Sequence, residues 1–129
     1  MHKELIICII VILIVILANA ITQIYAQEAV DSMDQKLNAL EANLERENDA
    51  KKEIQESLDD VMLNWREKYE SLAFFIEHDE LEKVETQLTS LKAHIKTEEY
   101  EEAIDSLETS IFILNHIKEK FRLNMKNIF

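Results

Sequence analysis

The sequence contains no glycine and no proline, although roughly nine and six would be expected in a chain of this length at average usage. Glycine supplies most turns with positive φ and most tight hairpin loops, and proline is the commonest helix breaker. A β-rich or α/β fold of 129 residues is hard to build without a single glycine. The joint absence of the two residues therefore predicts an all-α protein.

Basic residues and cysteine are also scarce. The chain has 14 Lys and Arg against 26 Asp and Glu, a net charge of −12, and nothing charged lies between Glu4 and Glu28. So acidic a surface repels nucleic acid at long range, and we expect no nucleic-acid partner. The one cysteine, Cys8, lies in the N-terminal apolar segment. No disulfide is therefore expected within the rest of the chain.

The N-terminal segment is a long apolar run. Residues 5–17 are all Leu, Ile or Val except Cys8, and the apolar character continues to Tyr25. About 20 such residues are enough to span a hydrocarbon core of about 30 Å. The shorter run alone has the length of a signal peptide, and residues 18–20, Ala-Asn-Ala, form a cleavage-site pattern. The continuation to Tyr25 favours an uncleaved anchor, and cleavage is the alternative.

The charges that flank this run predict its orientation. His2 and Lys3 precede it, whereas Glu28 and Asp31 follow it. Positive charge favours the cytoplasmic side of a membrane. We therefore expect a single-pass protein of the cell membrane, with the N-terminus in the cytoplasm and the rest of the chain outside it.

Four apolar stripes at alternating steps of three and four residues follow the N-terminal run. The first two consist of Val30, Met33, Leu37, Leu40 and Leu44, and of Ile54, Leu58, Val61, Trp65, Tyr69, Leu72 and Ile76. The last two consist of Leu81, Val84, Leu88, Leu91 and Ile95, and of Ile104, Leu107, Ile111, Leu114, Ile117 and Phe121. Such seams are typical of helices packed side by side. They predict an antiparallel, up-down-up-down four-helix bundle after an N-terminal transmembrane helix.

Polar residues separate the predicted helices. Residues 46–49 interrupt the first stripe, Asp79 and Glu82 form a capping-box pattern for the third helix, and Thr97 is the predicted cap of the fourth. The heptad register also continues without a break from the first stripe into the second. The alternative is therefore one long helix over residues 32–76, a stalk beneath a three-helix head.

This layout divides the chain into three parts. Residues 1–27 form the anchor, residues 28–122 the acidic helical bundle, and residues 123–129 a short basic and apolar tail. In a four-helix bundle the last helix returns toward the membrane, and we expect the tail to lie at the bilayer surface. With a long stalk, the tail would lie far from it.

No catalytic pattern is found in the sequence. A nucleophile elbow and a phosphate-binding loop both need glycine, and the Glu-x-x-His pairs of di-metal bundles are absent. His78 and His116 would lie toward the same end of a four-helix bundle and are weak candidates for a metal site. Histidines at helix ends are the simpler interpretation. We expect neither an enzyme nor a bound cofactor.

A group of residues in the second half of the chain suggests a family. It consists of Trp65, residues 75–81, Leu88, Leu91, Lys92, Ile95, Lys96, Ala103, Leu107, residues 116–118 and residues 127–129. With these residues the chain resembles an uncharacterised family of small membrane-anchored helical proteins of Gram-positive spore-formers, the domain of unknown function numbered four-three-six-three. The resemblance implies an N-terminal membrane segment and a helical remainder. It implies no activity, ligand or catalytic residue.

Two functions fit these observations. The first is a membrane-anchored extracytoplasmic bundle that acts, without catalysis, as a structural or protein-interaction module of the cell envelope. Its partners would be membrane lipid, through the N-terminal helix, and another membrane or envelope protein, with a homo-oligomer as a further option. The second is a sensor-like bundle that binds a small ligand or a cation. An enclosed cavity would favour the second function and an exposed apolar patch the first.

Overall fold

The computed structural model describes residues 2–46 and 50–128. Four helices account for nearly all of them: α1 (His2–Glu45), α2 (Lys51–Ala73), α3 (His78–Lys96) and α4 (Tyr100–Ile128). No strand occurs within these described residues. Two separate helices cover residues 32–76, as the four-helix prediction requires and the stalk alternative does not. Of the predicted break, residues 47–49 lie outside the described residues.

Side-chain contacts show that α1 and α2 run in opposite directions. Asn43 Nδ2 of α1 donates a hydrogen bond to Ser57 Oγ of α2 at 2.5 Å. Further along α2, the Lys68 Nζ lies 5.7 Å from the centre of the Tyr25 ring. Later residues of α2 therefore lie beside earlier residues of α1, so the two helices are antiparallel. The two helices form a hairpin whose open end lies beside the apolar run.

The fourth helix returns along the first. Lys118 Nζ donates to Asp31 Oδ1 at 2.6 Å, and the carboxyl group of Glu41 lies near that of Glu108 farther from the apolar run. Helix α1 packs against both α2 and α4, and α3 packs mainly against α4. The contact between α2 and α3 is the least extensive of these. This packing is consistent with a bundle.

The core consists largely of the predicted stripes. Every residue of the first and third stripes is at most 7 % exposed. The fourth stripe is rotated from its prediction, because Leu107, Leu114 and Ile117 are buried while Ile104 and Ile111 are half-buried. Small residues of α4 take the remaining interior positions: Ala103, Ser106 and Ser110. Small side chains in the contact let neighbouring helices approach closely.

Both predicted N-caps are wrong. Helix α3 begins at His78 after Glu77, with no side-chain cap. Asp79 lies in the first turn instead, where its negative charge interacts favourably with the helix dipole. Thr97 is the C-terminal cap residue of α3, because its backbone N–H donates to the Ala93 carbonyl at 3.2 Å. Thr97, predicted to begin α4, thus ends α3.

The turn between α3 and α4 is a Schellman motif built without glycine. The Glu98 N–H donates to the Ile95 carbonyl at 3.1 Å, and the Glu99 N–H donates to the His94 carbonyl at 2.8 Å. Glu98 takes φ of 59°, the only positive φ among the described residues. Glycine is the usual residue at this position because it has no Cβ. The glycine-free sequence thus places a strained residue at this one turn.

Candidate functional site

The first half of α1 carries an apolar surface that no other helix covers. Its most apolar 18-residue window has a mean hydropathy of 3.2, and none of that window is buried. The large side chains there are about half exposed, from 39 % at Ile16 to 62 % at Leu17. Helix α1 is therefore long and apolar enough to cross a membrane. A signal sequence at the N-terminus has the same length and composition.

Burial in the bundle begins abruptly along α1. Residues 2–18 are exposed, Asn19 and Ala20 are half-buried, Gln23 is 5 % exposed and Ala26 is fully buried. The bundle therefore covers α1 from about residue 19. The uncovered part measures about 25 Å at 1.5 Å per residue. That length is close to the thickness of a hydrocarbon core.

A groove lies between α2 and α3 at the end of the bundle opposite the apolar run. It has a volume of about 500 Å³ and opens to solvent, and α2 and α3 form the least extensive of the helix contacts described above. Its floor is apolar, with Ile54, Leu58 and Ile95 each buried. Its rim carries the exposed lysines at positions 51, 92 and 96, together with Gln55, Glu98 and Tyr100.

The rim is positively charged although the chain is strongly acidic. Lys51 Nζ lies 2.5 Å from Glu98 Oε1, and this hydrogen bond and the attraction of the carboxylate raise the pKa of Lys51. Within the described part of the chain, neither Lys92 nor Lys96 takes part in a salt bridge. Two of the three ammonium groups are thus open to an outside anion. An apolar floor beneath a cationic rim suits an acidic amphipathic ligand.

Sequence reasoning missed this groove. Lys92 and Lys96 are one helical turn apart on α3, a spacing that places them on one face. Lys51 comes from a different helix, however, and joins them only through the relative rotation of α2 and α3. The sequence does not encode that rotation in any local pattern.

The two candidate histidines are both exposed. His78 Nε2 lies 2.9 Å from Glu82 Oε1 within α3, and His116 lies on the outer surface of α4. In residues 2–46 and 50–128, no three side chains of His, Cys, Asp or Glu are grouped so that they could hold a metal ion. Cys8 is exposed in the apolar half of α1.

Two carboxyl groups on the seam between α1 and α4 have perturbed pKa values. Burial, and then repulsion by Asp31, raise the pKa of Asp34, although Lys118 opposes this. Burial also raises the pKa of Glu41, and repulsion by Glu108 adds to it. Both groups lie on a packed seam and neither lines the groove. Their effect is on stability rather than on a ligand.

Comparison with protein-family models identifies the family of the chain. The family model described as Domain of unknown function (DUF4363) matches residues 20–128. This range begins where the bundle starts to cover α1 and leaves most of the uncovered apolar run outside it. No curated protein and no solved structure matches the chain.

Proposed function

The chain belongs to the family Domain of unknown function (DUF4363), and we propose that it is a non-catalytic, membrane-anchored module of the cell envelope. In this proposal the first half of α1 crosses the membrane, and the bundle lies outside the cytoplasm. The groove between α2 and α3 binds an acidic segment of another envelope protein.

One observation carries the anchoring. Helix α1 is a single helix whose first part has no partner in the bundle and whose second part forms the bundle core. The cleavage-site pattern at residues 18–20 lies inside this helix, and Asn19 and Ala20 are partly covered. Proteases prefer exposed, flexible backbone. These facts support a retained anchor, and the charges on His2 and Lys3 support a cytoplasmic N-terminus.

The return of α4 brings its C-terminal end near the same membrane. Lys118 pairs with Asp31, and α4 continues for ten more residues, to Ile128. Ten residues of helix span about 15 Å. The end of α4 is thus level with residue 21 of α1. This height supports the expectation that the basic tail lies at the bilayer surface.

The groove supports a protein partner of defined chemistry. A helix that docks in such a groove buries its apolar face on the floor and pairs its charged flanks with the rim. Because the rim is cationic, the flanking residues of the partner would be Asp or Glu. The rest of this chain is acidic and would repel an acidic partner elsewhere. The charge pattern would thus direct the partner to this one groove.

Photocrosslinking in native membranes tests the proposal. A benzophenone amino acid at Lys92 should crosslink to one envelope protein, at a peptide rich in Asp and Glu. The same probe at Glu67, exposed on α2 and not part of the groove lining, is the matched control. Lys96→Glu should abolish the product, and Lys96→Arg should retain it. Equal products at both probe positions, or a product insensitive to Lys96→Glu, would contradict the assignment.

A second candidate is the binding of a small anion, because a volume of about 500 Å³ lies within the range of small-molecule pockets. Thermal unfolding in the presence of small dicarboxylates distinguishes it. A concentration-dependent rise in melting temperature that is lost in Lys96→Glu would favour this sensor-like function. The groove is open rather than enclosed, and for that reason we favour the protein partner.

A further inference from the structure

Phe74 is the most exposed large apolar side chain among the described residues. It lies in the turn between α2 and α3 and is 84 % exposed. The next two residues, Phe75 and Ile76, pack against the core, and Ile76 is only 6 % exposed. They fix the turn to the bundle, so that Phe74 is held outward. The centre of the Phe74 ring lies 6.4 Å from that of Phe75, and the rest of the ring faces outward from the bundle.

Two contacts give the height of Phe74 along α1. Ser57 contacts Asn43, and Phe74 follows Ser57 by 17 residues, about 26 Å along the helix. Seventeen residues before Asn43, α1 reaches Ala26. By this contact, Phe74 is level with Ala26.

The second contact places Phe74 about 10 Å closer to the apolar run. Lys68 lies over the ring of Tyr25, and Phe74 follows Lys68 by six residues. Six residues before Tyr25, α1 reaches Asn19. Phe74 is therefore level with residues 19–26 of α1, the segment in which the uncovered apolar run ends and the bundle begins.

We propose that Phe74 inserts into the boundary between the headgroups and the acyl chains of the bilayer that α1 crosses. This inference rests on the proposed anchoring, because the continuous helix α1 sets the height of the bundle above the membrane. Phenylalanine is one of the apolar side chains that interfacial segments bury at this boundary. The neighbouring Glu77 and Asp79 are exposed and acidic, so they keep the turn at headgroup depth. The turn would be a second contact that limits tilting of the bundle about its anchor.

Phe112 provides an internal comparison. It is 73 % exposed on α4, six residues before Lys118, which pairs with Asp31. Phe112 is therefore level with Leu37, 11 or more residues farther from the membrane than Phe74. This distance is about 17 Å or more along the bundle axis. The two phenylalanines are similarly exposed but lie at different heights.

Fluorescence quenching by lipid tests this inference on the full-length chain. In a Cys8→Ser background, the variants Phe74→Cys, Phe112→Cys and Leu13→Cys are each labelled with bimane and reconstituted in phosphatidylcholine vesicles. Some of the lipid carries a nitroxide, near the headgroup in one preparation for positions 74 and 112, and midway along the acyl chain in a second preparation for position 13. Quenching at position 74 should be roughly twofold or more that at position 112, because the boundary lies within reach of the first site alone. Circular dichroism checks that each variant is folded.

The position 13 label separates this inference from the anchoring itself. An unquenched label at position 13 would refute the anchoring and the inference together. A quenched label at position 13 with equal, weak quenching at 74 and 112 would leave the anchor standing and overturn the membrane contact of Phe74. Protection of position 74 from aqueous iodide without quenching by lipid would mean that a protein, such as a second copy of the chain, covers it. That result would also overturn the inference.

Discussion

Replacing Glu98 with glycine should stabilise the bundle. Glu98 occupies the C′ position of the Schellman motif after α3, with φ of 59°. A residue with a Cβ loses roughly 1–2 kcal/mol in this conformation, because the Cβ crowds the following carbonyl oxygen. Glycine avoids that contact but loses more backbone entropy on folding, about 0.5–1 kcal/mol. The backbone change alone should therefore raise the free energy of unfolding by about 0.5–1 kcal/mol.

The salt bridge to Lys51 must be separated from this backbone effect. Both side chains are largely exposed, 65 % for Lys51 and 56 % for Glu98. Exposed pairs of this kind contribute little to stability. Glu98→Ala loses the pair and keeps the Cβ, whereas Glu98→Gly loses both. The difference between the two variants therefore measures the backbone effect alone.

Thermal and urea unfolding of the full-length chain in detergent, followed by circular dichroism, provides the assay. The free energy of unfolding of Glu98→Gly should exceed that of Glu98→Ala by about 0.5–1 kcal/mol. This difference corresponds to roughly 2–6 °C in melting temperature for a domain of this size. An alanine variant as stable as the glycine variant would mean that residue 98 does not hold a positive φ. The Schellman assignment would then be wrong.

Three further predictions concern stability. The raised pKa of Glu41 means that its ionised form is disfavoured in the folded state, so stability should rise as pH falls from 7 toward the ordinary value of 4.5. Glu41→Gln should weaken that rise and stabilise the chain at pH 7 by about 0.5 kcal/mol. The charge-matched Glu67→Gln should do neither, and urea unfolding of both variants at pH 7 and at pH 4.5 would show the difference. A fragment of residues 19–129 should be more stable than one of residues 28–129 by about 2 kcal/mol, because the shorter fragment lacks buried residues of α1; equal melting temperatures would contradict the early start of the bundle. A chelator should leave helicity and melting temperature unchanged, and a loss of either would indicate a structural metal.

The sequence predicted the parts of the fold that depend on local periodicity. Apolar residues spaced three and four positions apart predicted four helices and most of the core, including Met33, Leu88 and Leu107. The absence of glycine and proline gave the fold class. These features are local, because one face of a helix is set by spacing alone.

Other features depended on how helices meet and could not be predicted. Thr97 is a residue type that often begins a helix, yet here its backbone N–H and its hydroxyl both lie within hydrogen-bond distance of the Ala93 carbonyl at the end of α3. The groove joins Lys51 to Lys92 across two helices, and only their packing places them together. The start of burial on α1 also depends on packing, because apolar residues such as Ile24 continue along the helix after the bundle begins to cover it.

The central claim is that α1 is one helix, with its first part in lipid and its second part in the bundle. A nitroxide scan along residues 5–30 of the full-length chain in bilayers tests it most directly, with oxygen and a water-soluble nickel complex as the two relaxing agents. We predict high oxygen accessibility without helical periodicity over residues 5–18. From residue 19 onward, accessibility should vary with a period of about 3.6, with minima at Gln23, Ala26 and Val30. Helical periodicity that begins at residue 5, or nickel accessibility along the whole first half, would contradict the account.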